Sequence, residues 1–296
     1  MHFDTIDYNE PLFRPPSEAY SLIFQLTLGC SWNQCAFCEM YSSKKFRARK
    51  EEDVFQEIDT IKLSQSNTRK VFLADGNAFV LSYERLNRIM IKLNDSFPKL
   101  NRVSAYALPK DILSKTDDEL KALANAGLKL LYVGIESGDD ELLKIINKNE
   151  DYKSTAMALI KARKAGIKLS VMILNGLGGK LYSKQHALNS AKLINEIQPE
   201  FLSTLVLSYP YELEHFKKKF NSDFDELSKV GLIQEMGLFI SKLNLESTIF
   251  RSDHASNYLI LKGILNRDKD ELMQRINTVL AKPENAGLRE EWMRGL

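Results

Sequence analysis

The chain contains three cysteines, Cys30, Cys35 and Cys38, and all of them fall within nine consecutive positions. Unpaired cysteines are often buried as small hydrophobes. Here Gly29, Ser31, Asn33 and Gln34 give the segment the composition of a polar loop instead. Thiolates gathered on a polar loop are metal ligands. A structural zinc site closes four ligands, normally as two spaced pairs. No second pair exists here, so Glu39 or a distant histidine would have to complete it. An iron–sulfur cubane takes one thiolate per iron, so three cysteines leave one iron with an open position. Such a position is what lets a small molecule bind the metal directly. The spacing points to a cluster that holds a cofactor or substrate, with zinc as the remaining alternative.

A loop of this kind needs a scaffold, and the flanking pattern supplies one. Residues 21–28 are apolar and rich in strand formers, and they end in the cysteine loop. Residues 54–63 have the i, i+3/i+4 apolar spacing of a helix, opened by Glu51, Glu52 and Asp53, whose charge suits a helix N-terminus. A strand at 70–74 leads into the turn Asp75-Gly76-Asn77. Helix 82–94, strand 102–107 and helix 116–125 follow, with Gly127 as the stop. Strand 130–135 precedes helices at 139–146 and 152–165, the second closed by Gly166. Strand 169–174 enters Asn175-Gly176-Leu177-Gly178-Gly179, a turn or a backbone approach to a ligand. Ser183 can cap a helix running to 197, and 201–207 is a sixth strand. Helices at 212–220 and 224–241 and a strand at 245–250 follow.

Six near-continuous apolar strands, each followed by a helix, predict parallel βα units. The expected fold is α/β, a partial (β/α)6 barrel of the TIM type. An N-terminal arm (1–20) precedes the core (21–210), and a helical and strand extension (211–296) follows. Sites in such barrels lie at the C-terminal ends of strands. The cysteines, Asp75-Gly76-Asn77, Glu136-Ser137-Gly138 and Asn175-Gly176 all fall there. An apolar fraction of 44% excludes a disordered or fibrous chain. A formal net charge of +2 gives no global case for nucleic acid or membrane. No apolar run reaches the ~18 residues of a membrane span. The N-terminal stretch lacks a signal peptide's cations and apolar core, so the cytoplasm is the expected compartment.

The three-cysteine loop after the first strand, with aromatic Phe37 before the last cysteine, resembles the radical S-adenosylmethionine superfamily across residues 20–210. Its usual spacing is three residues then two; here it is four then two. The resemblance implies that Cys30, Cys35 and Cys38 hold a [4Fe-4S] cluster whose fourth iron chelates S-adenosylmethionine. It implies reductive cleavage to a 5′-deoxyadenosyl radical that abstracts hydrogen from a substrate. Phe37 would pack near the adenine. Asp75-Gly76-Asn77-Ala78 looks like the family's Gly-Gly-Glu-Pro, which puts neutral Asn77 where a carboxylate often meets the methionine ammonium, with Asp75 as a substitute. Residues 132–148 look like the coproporphyrinogen oxidase and methylthiotransferase branch, with Glu136 and Ser137 facing the ribose and methionine portion. Asn175 joins this cofactor set. Residues 14–18 and 254–258 look like marks of a subgroup.

No cysteines remain for a second cluster, so single-cluster chemistry is expected and methylthiotransferases of the known kind are not direct models. Lys44, Lys45, Arg47, Arg49 and Lys50 form either a solvated face or an attractor for an anionic substrate or an acidic reductant such as flavodoxin or ferredoxin. Phe46 alone gives RNA stacking little support. His254, in a polar cluster, is a candidate acid or base at a substrate site or a member of a structural network. His186 is expected at the surface or as a cap, and residues 14–16 as an extended arm. The class-level alternative to a radical enzyme is a zinc or iron–sulfur scaffold or sensor.

Overall fold

Strands and helices alternate along the chain as the apolar pattern requires. The computed structural model describes residues 6–220, 222–283 and 287–294; the first five residues of the expected N-terminal arm lie outside that range. The chain divides into two units. The first comprises Met1–Asn33, Cys38–Val133 and Met157–Leu169. The second comprises Gln34–Phe37, Gly134–Ala156 and Ser170–Leu296.

In the first unit, β1 (Leu22–Gln25) is followed by the short β2 (Thr27–Leu28), which pairs antiparallel with β3 (Arg47–Ala48). That ladder pins both ends of the segment carrying the cysteines. Helix α1 (Glu51–Ile61) buries Val54, Ile58 and Ile61. β4 (Lys70–Ala74) leads to α2 (Tyr83–Ser96), where Ser82 caps the Arg85 amide and Leu86, Ile89, Met90 and Leu93 form the buried stripe. β5 (Arg102–Tyr106), α3 (Pro109–Leu113) and α4 (Asp117–Asn125) follow. A reciprocal Thr116–Glu119 capping box opens α4. Gly127 carries the positive φ of 108° that ends it. β1, β4, β5 and the first residues of β6 (Leu128–Glu136) pair in parallel.

The arm is bound to this unit through a buried carboxylate. Glu18 is fully buried. Its Oε1 accepts Arg102 Nη2 at 2.7 Å, Ser104 Oγ at 3.0 Å and the Tyr132 hydroxyl at 2.6 Å. Its Oε2 accepts the Ser21 hydroxyl. Tyr132 gives its proton to Glu18, so it accepts from Ser17 Oγ at 2.7 Å. The subgroup mark at residues 14–18 is therefore an anchor.

In the second unit, α5 (Asp140–Ile145) is capped by Asp139, and the first turn of α6 (Tyr152–Lys164) falls here. β7 (Lys168–Asn175), α7 (Gly179–Ile197), β8 (Phe201–Val206), α8 (Leu213–Lys219) and α9 (Lys229–Lys242) follow. β9 (Thr248–Ser252), β10 (Leu261–Leu265) and α10 (Lys269–Ala281) complete it. β7, β8 and β9 pair in parallel, and β10 pairs antiparallel with β9. The eight longer strands form a mostly parallel sheet, and the six expected βα units are all present.

Several boundaries differ from the sequence reading, and for three of them the contacts give the reason. α7 starts at Gly179, ahead of the expected cap Ser183, because the Lys180 amide donates to the Asp225 carbonyl at 2.7 Å and needs no side-chain cap. α9 starts at Lys229 because Ser228 caps it through the Gly231 amide at 3.1 Å. The strand expected at 245–250 is shifted to Thr248–Ser252, registered by its pairing with β8 and β10.

Replacing Glu18 by Ala leaves Arg102 without its carboxylate partner and removes the acceptor of the Ser21, Ser104 and Tyr132 hydroxyls. The variant is expected to lose about 3 kcal/mol of stability. Glu18→Gln, which keeps part of the hydrogen bonding, is expected to lose less. Urea denaturation of the two variants measures the difference.

Candidate active site

In the first unit, the turn after β4 meets the cysteine loop residue for residue. Asp75 Oδ2 accepts the Gly29 amide at 3.2 Å. Asn77 Oδ1 accepts the Ser31 amide at 2.9 Å. Between them, a Cβ built on Gly76 would lie 2.8 Å from both Cys30 Cα and the Gly29 carbonyl oxygen. Only glycine allows that approach. Asp75 Oδ2 also accepts Lys44 Nζ at 3.0 Å, a pair with side-chain exposures of 0% and 6%. Burial and the neighbouring Asp75 charge hold the Tyr41 phenol far above its usual range, so it stays protonated.

The expected role of Asn77 meets a different local geometry. Its Nδ2 donates to Ser31 Oγ at 2.8 Å and to Asp111 Oδ2 at 2.7 Å, so both ends of the amide are engaged. Asp75, the substitute, is engaged through Oδ2 while its buried Oδ1 has no hydrogen-bond partner. The basic run divides in two. Lys44 is bound to Asp75, and Arg49 grips Glu57 at 2.6 and 2.9 Å. Lys45, Arg47 and Lys50 are exposed.

In the second unit, the middle of the cysteine loop is held by the segment after α5. The Ala36 amide donates to the Ile146 carbonyl at 2.9 Å, and Asn147 Nδ2 donates to the Gln34 carbonyl at 3.2 Å. Phe37 packs against an apolar cluster that includes Leu142, Leu143 and Leu174. Lys148 Nζ stands 5.6 Å from the centre of its ring and donates to Glu136 Oε1 at 3.1 Å. Glu136 has a φ of 66°, and its carboxylate folds back over Gly134, where a Cβ would overlap Oε1. Glu136 Oε2 is buried without a hydrogen-bond partner. Phe37 and Glu136 are thus brought together, through a lysine that the sequence reading did not single out.

Ser137 is fully buried. Its Oγ accepts the Asp139 amide at 3.0 Å and lies 2.8 Å from His186 Nδ1. His186 is therefore not at the surface: it is 1% exposed. Burial holds its pKa at about 4, so the ring is neutral. Glu235 of α9 lies 3.9 Å from His186 Nε2 and accepts the Gly176 amide at 2.6 Å. Burial pushes its carboxyl up to about 7. A single acid inside the apolar stretch Leu232–Ile240 was the available sequence signal for this buried carboxyl. Asn175 donates through Nδ2 to the Leu232 carbonyl at 3.1 Å. His254 Nδ1 accepts the Ser256 amide at 3.1 Å, and the His254 carbonyl accepts Arg289 Nη1 at 2.6 Å. Both stand in networks with the C-terminal elements of this unit.

All three cysteines are half-buried and outside any disulfide. Among the described residues, no group of three or more His, Cys, Asp or Glu side chains is gathered around a single metal ion. None of the described helices is long and apolar enough to cross a membrane.

Parallel βα units carrying a three-cysteine loop after the first strand define an α/β fold of the partial-barrel, cluster-binding class. The chain belongs to the radical SAM superfamily, whose family model matches residues 24–190. Members of that family are enzymes that use a [4Fe-4S] cluster and S-adenosylmethionine. The heme chaperone HemW of Bacillus subtilis is 28% identical over 137 residues, covering 45% of this chain and 36% of that protein. The tRNA-2-methylthio-N(6)-dimethylallyladenosine synthase of Pelagibacter ubique is 27% identical over 179 residues, covering 56% and 39%. The chain thus spans between a third and two fifths of the length of these relatives. Among solved structures, coproporphyrinogen III oxidase HemN of Escherichia coli has a TM-score of 0.56 at 19% identity, covering 75% of this chain and 52% of that one. Methylornithine synthase PylB has a TM-score of 0.52 at 15% identity, covering 90% and 85%. These two share the fold.

The His186–Glu235 pair gives a pH signature. Glu235, raised from 4.5 to about 7, contributes most stability below pH 4.5 and loses it as pH rises to about 7. His186, lowered from 6.5 to about 4, contributes fully above pH 6.5 and loses it as pH falls to about 4. The two slopes oppose each other. Glu235→Gln should keep the acceptor for Gly176 and leave only the histidine slope. Relative to the parent chain it is expected to gain about 2–3 kcal/mol on going from pH 5 to pH 7.5, read from urea midpoints at the two values. A constant difference would mean that Glu235 is already ionised at pH 5.

Proposed function

We propose that this chain is a single-cluster radical SAM enzyme in which Cys30, Cys35 and Cys38 ligate the [4Fe-4S] cluster. The observation that carries this reading is the bracing of the cysteine loop: Asp75, Gly76 and Asn77 meet Gly29, Cys30 and Ser31 one for one. A second observation supports a bound cofactor. The carboxylate of Glu136 keeps one buried oxygen without a partner beside Phe37 and Lys148, which suits the hydroxyl donors of a ribose. When bound, the cluster supplies the electron that opens the sulfonium of S-adenosylmethionine.

The chain's own residues then have separate tasks. Glu136 accepts from the ribose, and Lys148 holds that carboxylate in place while lying over the face of Phe37. Phe37 offers an apolar surface to the adenine. Ser137, bound by His186 and the Asp139 amide, fixes the turn that carries Glu136. Asn175 holds α9 through the Leu232 carbonyl, and His254 shapes the Ser256 turn. The exposed Lys45, Arg47 and Lys50 suit an anionic substrate or an acidic reductant of the flavodoxin or ferredoxin kind. The three cysteines of this chain account for one cluster, which acts on an unidentified substrate.

Anaerobic reconstitution tests this directly. About four irons and four sulfides per chain are expected, with 5′-deoxyadenosine formed from S-adenosylmethionine under dithionite. Cys35→Ala is expected to lose both cluster and product. Glu136→Gln is expected to keep the cluster and bind S-adenosylmethionine roughly tenfold more weakly, as loss of a charged hydrogen bond implies. One zinc per chain with no cleavage product would overturn the assignment.

A further inference from the structure

We infer that Asp111, at the start of α3, is a positioning residue for the cysteine loop, acting through Asn77. The proposal rests on the cluster assignment above and extends it to a residue that no motif names.

The geometry is a two-step relay within the first unit. Asp111 Oδ2 accepts Asn77 Nδ2 at 2.7 Å and the Leu108 amide at 3.0 Å. Asn77 Nδ2 also donates to Ser31 Oγ at 2.8 Å, and its Oδ1 accepts the Ser31 amide at 2.9 Å. Ser31 directly follows Cys30. Asn77 is fully buried and Asp111 is 3% exposed, so neither is steered by solvent. An asparagine amide in this position could flip. Asp111, able only to accept when ionised, fixes which end faces it. That choice presents Oδ1 to the Ser31 amide and holds the backbone beside Cys30. The same segment touches the loop once more, where Lys110 Nζ lies 5.1 Å from the centre of the Trp32 ring. Lys115 donates to the Asp111 carbonyl at 3.1 Å and to the Phe79 carbonyl at 2.8 Å, which fixes α3 against the turn after β4.

A carboxylate placed two hydrogen bonds from a cluster ligand's neighbour also acts on the cluster through its charge. Cluster potentials follow net charge and surrounding hydrogen bonds. The reduced cluster is the more negative form, so an anion nearby disfavours it. Removing that charge while keeping the hydrogen bonds should raise the reduction potential.

The decisive set is Asn77→Asp, Asp111→Asn and the two combined, studied at pH 8. Asn77→Asp sets two carboxylates against each other. It is expected to lose its cluster to an iron chelator about tenfold faster, the usual size of an outer-shell effect. The double variant removes the repulsion and restores a donor facing an acceptor between positions 77 and 111, while the Leu108 amide loses the oxygen it shared with Asn77. Its rate of loss is expected to return part of the way to the parent's, well below that of Asn77→Asp. Asp111→Asn alone is expected to keep the cluster and shift its potential upward, which a purely structural residue would not do. Hydrogen exchange at residues 29–32 in the metal-free chain reads the relay without any cluster. Exchange should be faster in Asn77→Asp and slowed again in the double variant. If the parent takes up no cluster but this exchange pattern holds, the cluster assignment fails and the relay stands. A double variant no better than Asn77→Asp in both measurements, or an unmoved potential in Asp111→Asn, overturns the proposal.

Discussion

No side chain can stand at position 76. The backbone of the turn after β4 lies against the backbone of Cys30, and even a methyl group there would overlap both Cys30 Cα and the Gly29 carbonyl oxygen. This close approach sets the register of everything around it. The residues flanking Gly76 must then face the amides flanking Cys30, and both present oxygen to an N–H: Asp75 to Gly29 and Asn77 to Ser31. A loop that would otherwise leave two amides unmet thereby becomes part of the sheet's edge chemistry. The ladder between β2 and β3 performs the complementary task of holding the loop's two ends.

The carboxylates that support this scaffold share one design. Glu18 with Arg102, Asp75 with Lys44 and Glu136 with Lys148 are each almost wholly buried and each met by a cation. Such pairs add little net stability compared with apolar packing, because desolvation offsets the attraction. They do fix geometry, since an ion left unpaired inside the chain is costly. The pairs differ in how completely the oxygens are used. Glu18 has partners on both, which suits an anchor. Asp75 and Glu136 each keep one buried oxygen without a partner. An oxygen of that kind is tolerated where something absent from the bare chain can complete it. The Glu136 oxygen lies at the end of a strand, where βα folds place their ligands.

How far the sequence could be read depended on the kind of signal. Strand and helix positions followed the apolar period closely: the span 70–74 of β4 was recovered residue for residue, and Ser82, Thr116 and Asp139 marked helix starts that the structure retains. The starts of α7 and α9 were misplaced because tertiary or alternative caps outcompeted the local ones. α3 and α10 were missed: α3 is five residues long and α10 lies beyond the regular βα alternation. The cysteines were legible because their chemistry is written in type and spacing. The roles of Asn77 and His186 were not. Each depends on which neighbour an amide or imidazole turns towards, and that neighbour is distant in sequence: Asp111 for the first, Ser137 for the second.

Charge balance explains why an asparagine is tolerable where relatives in resemblance place a carboxylate. A cluster held by three thiolates is anionic, and each further anion nearby works against its reduction. Around the first half of the cysteine loop the chain limits that burden. Asp75 is paired with Lys44; burial raises the Asp111 carboxyl above its usual range, and the Asn77 and Leu108 hydrogen bonds and the Lys115 and Lys110 charges work against that rise. A carboxylate at position 77 would stand against Asp111 with no cation of its own among the contacts described. Asparagine keeps the acceptor that Ser31 needs and adds the donor that Asp111 needs, without a charge. The neutral residue is thus the one that meets both Ser31 and Asp111 without setting a second carboxylate against Asp111.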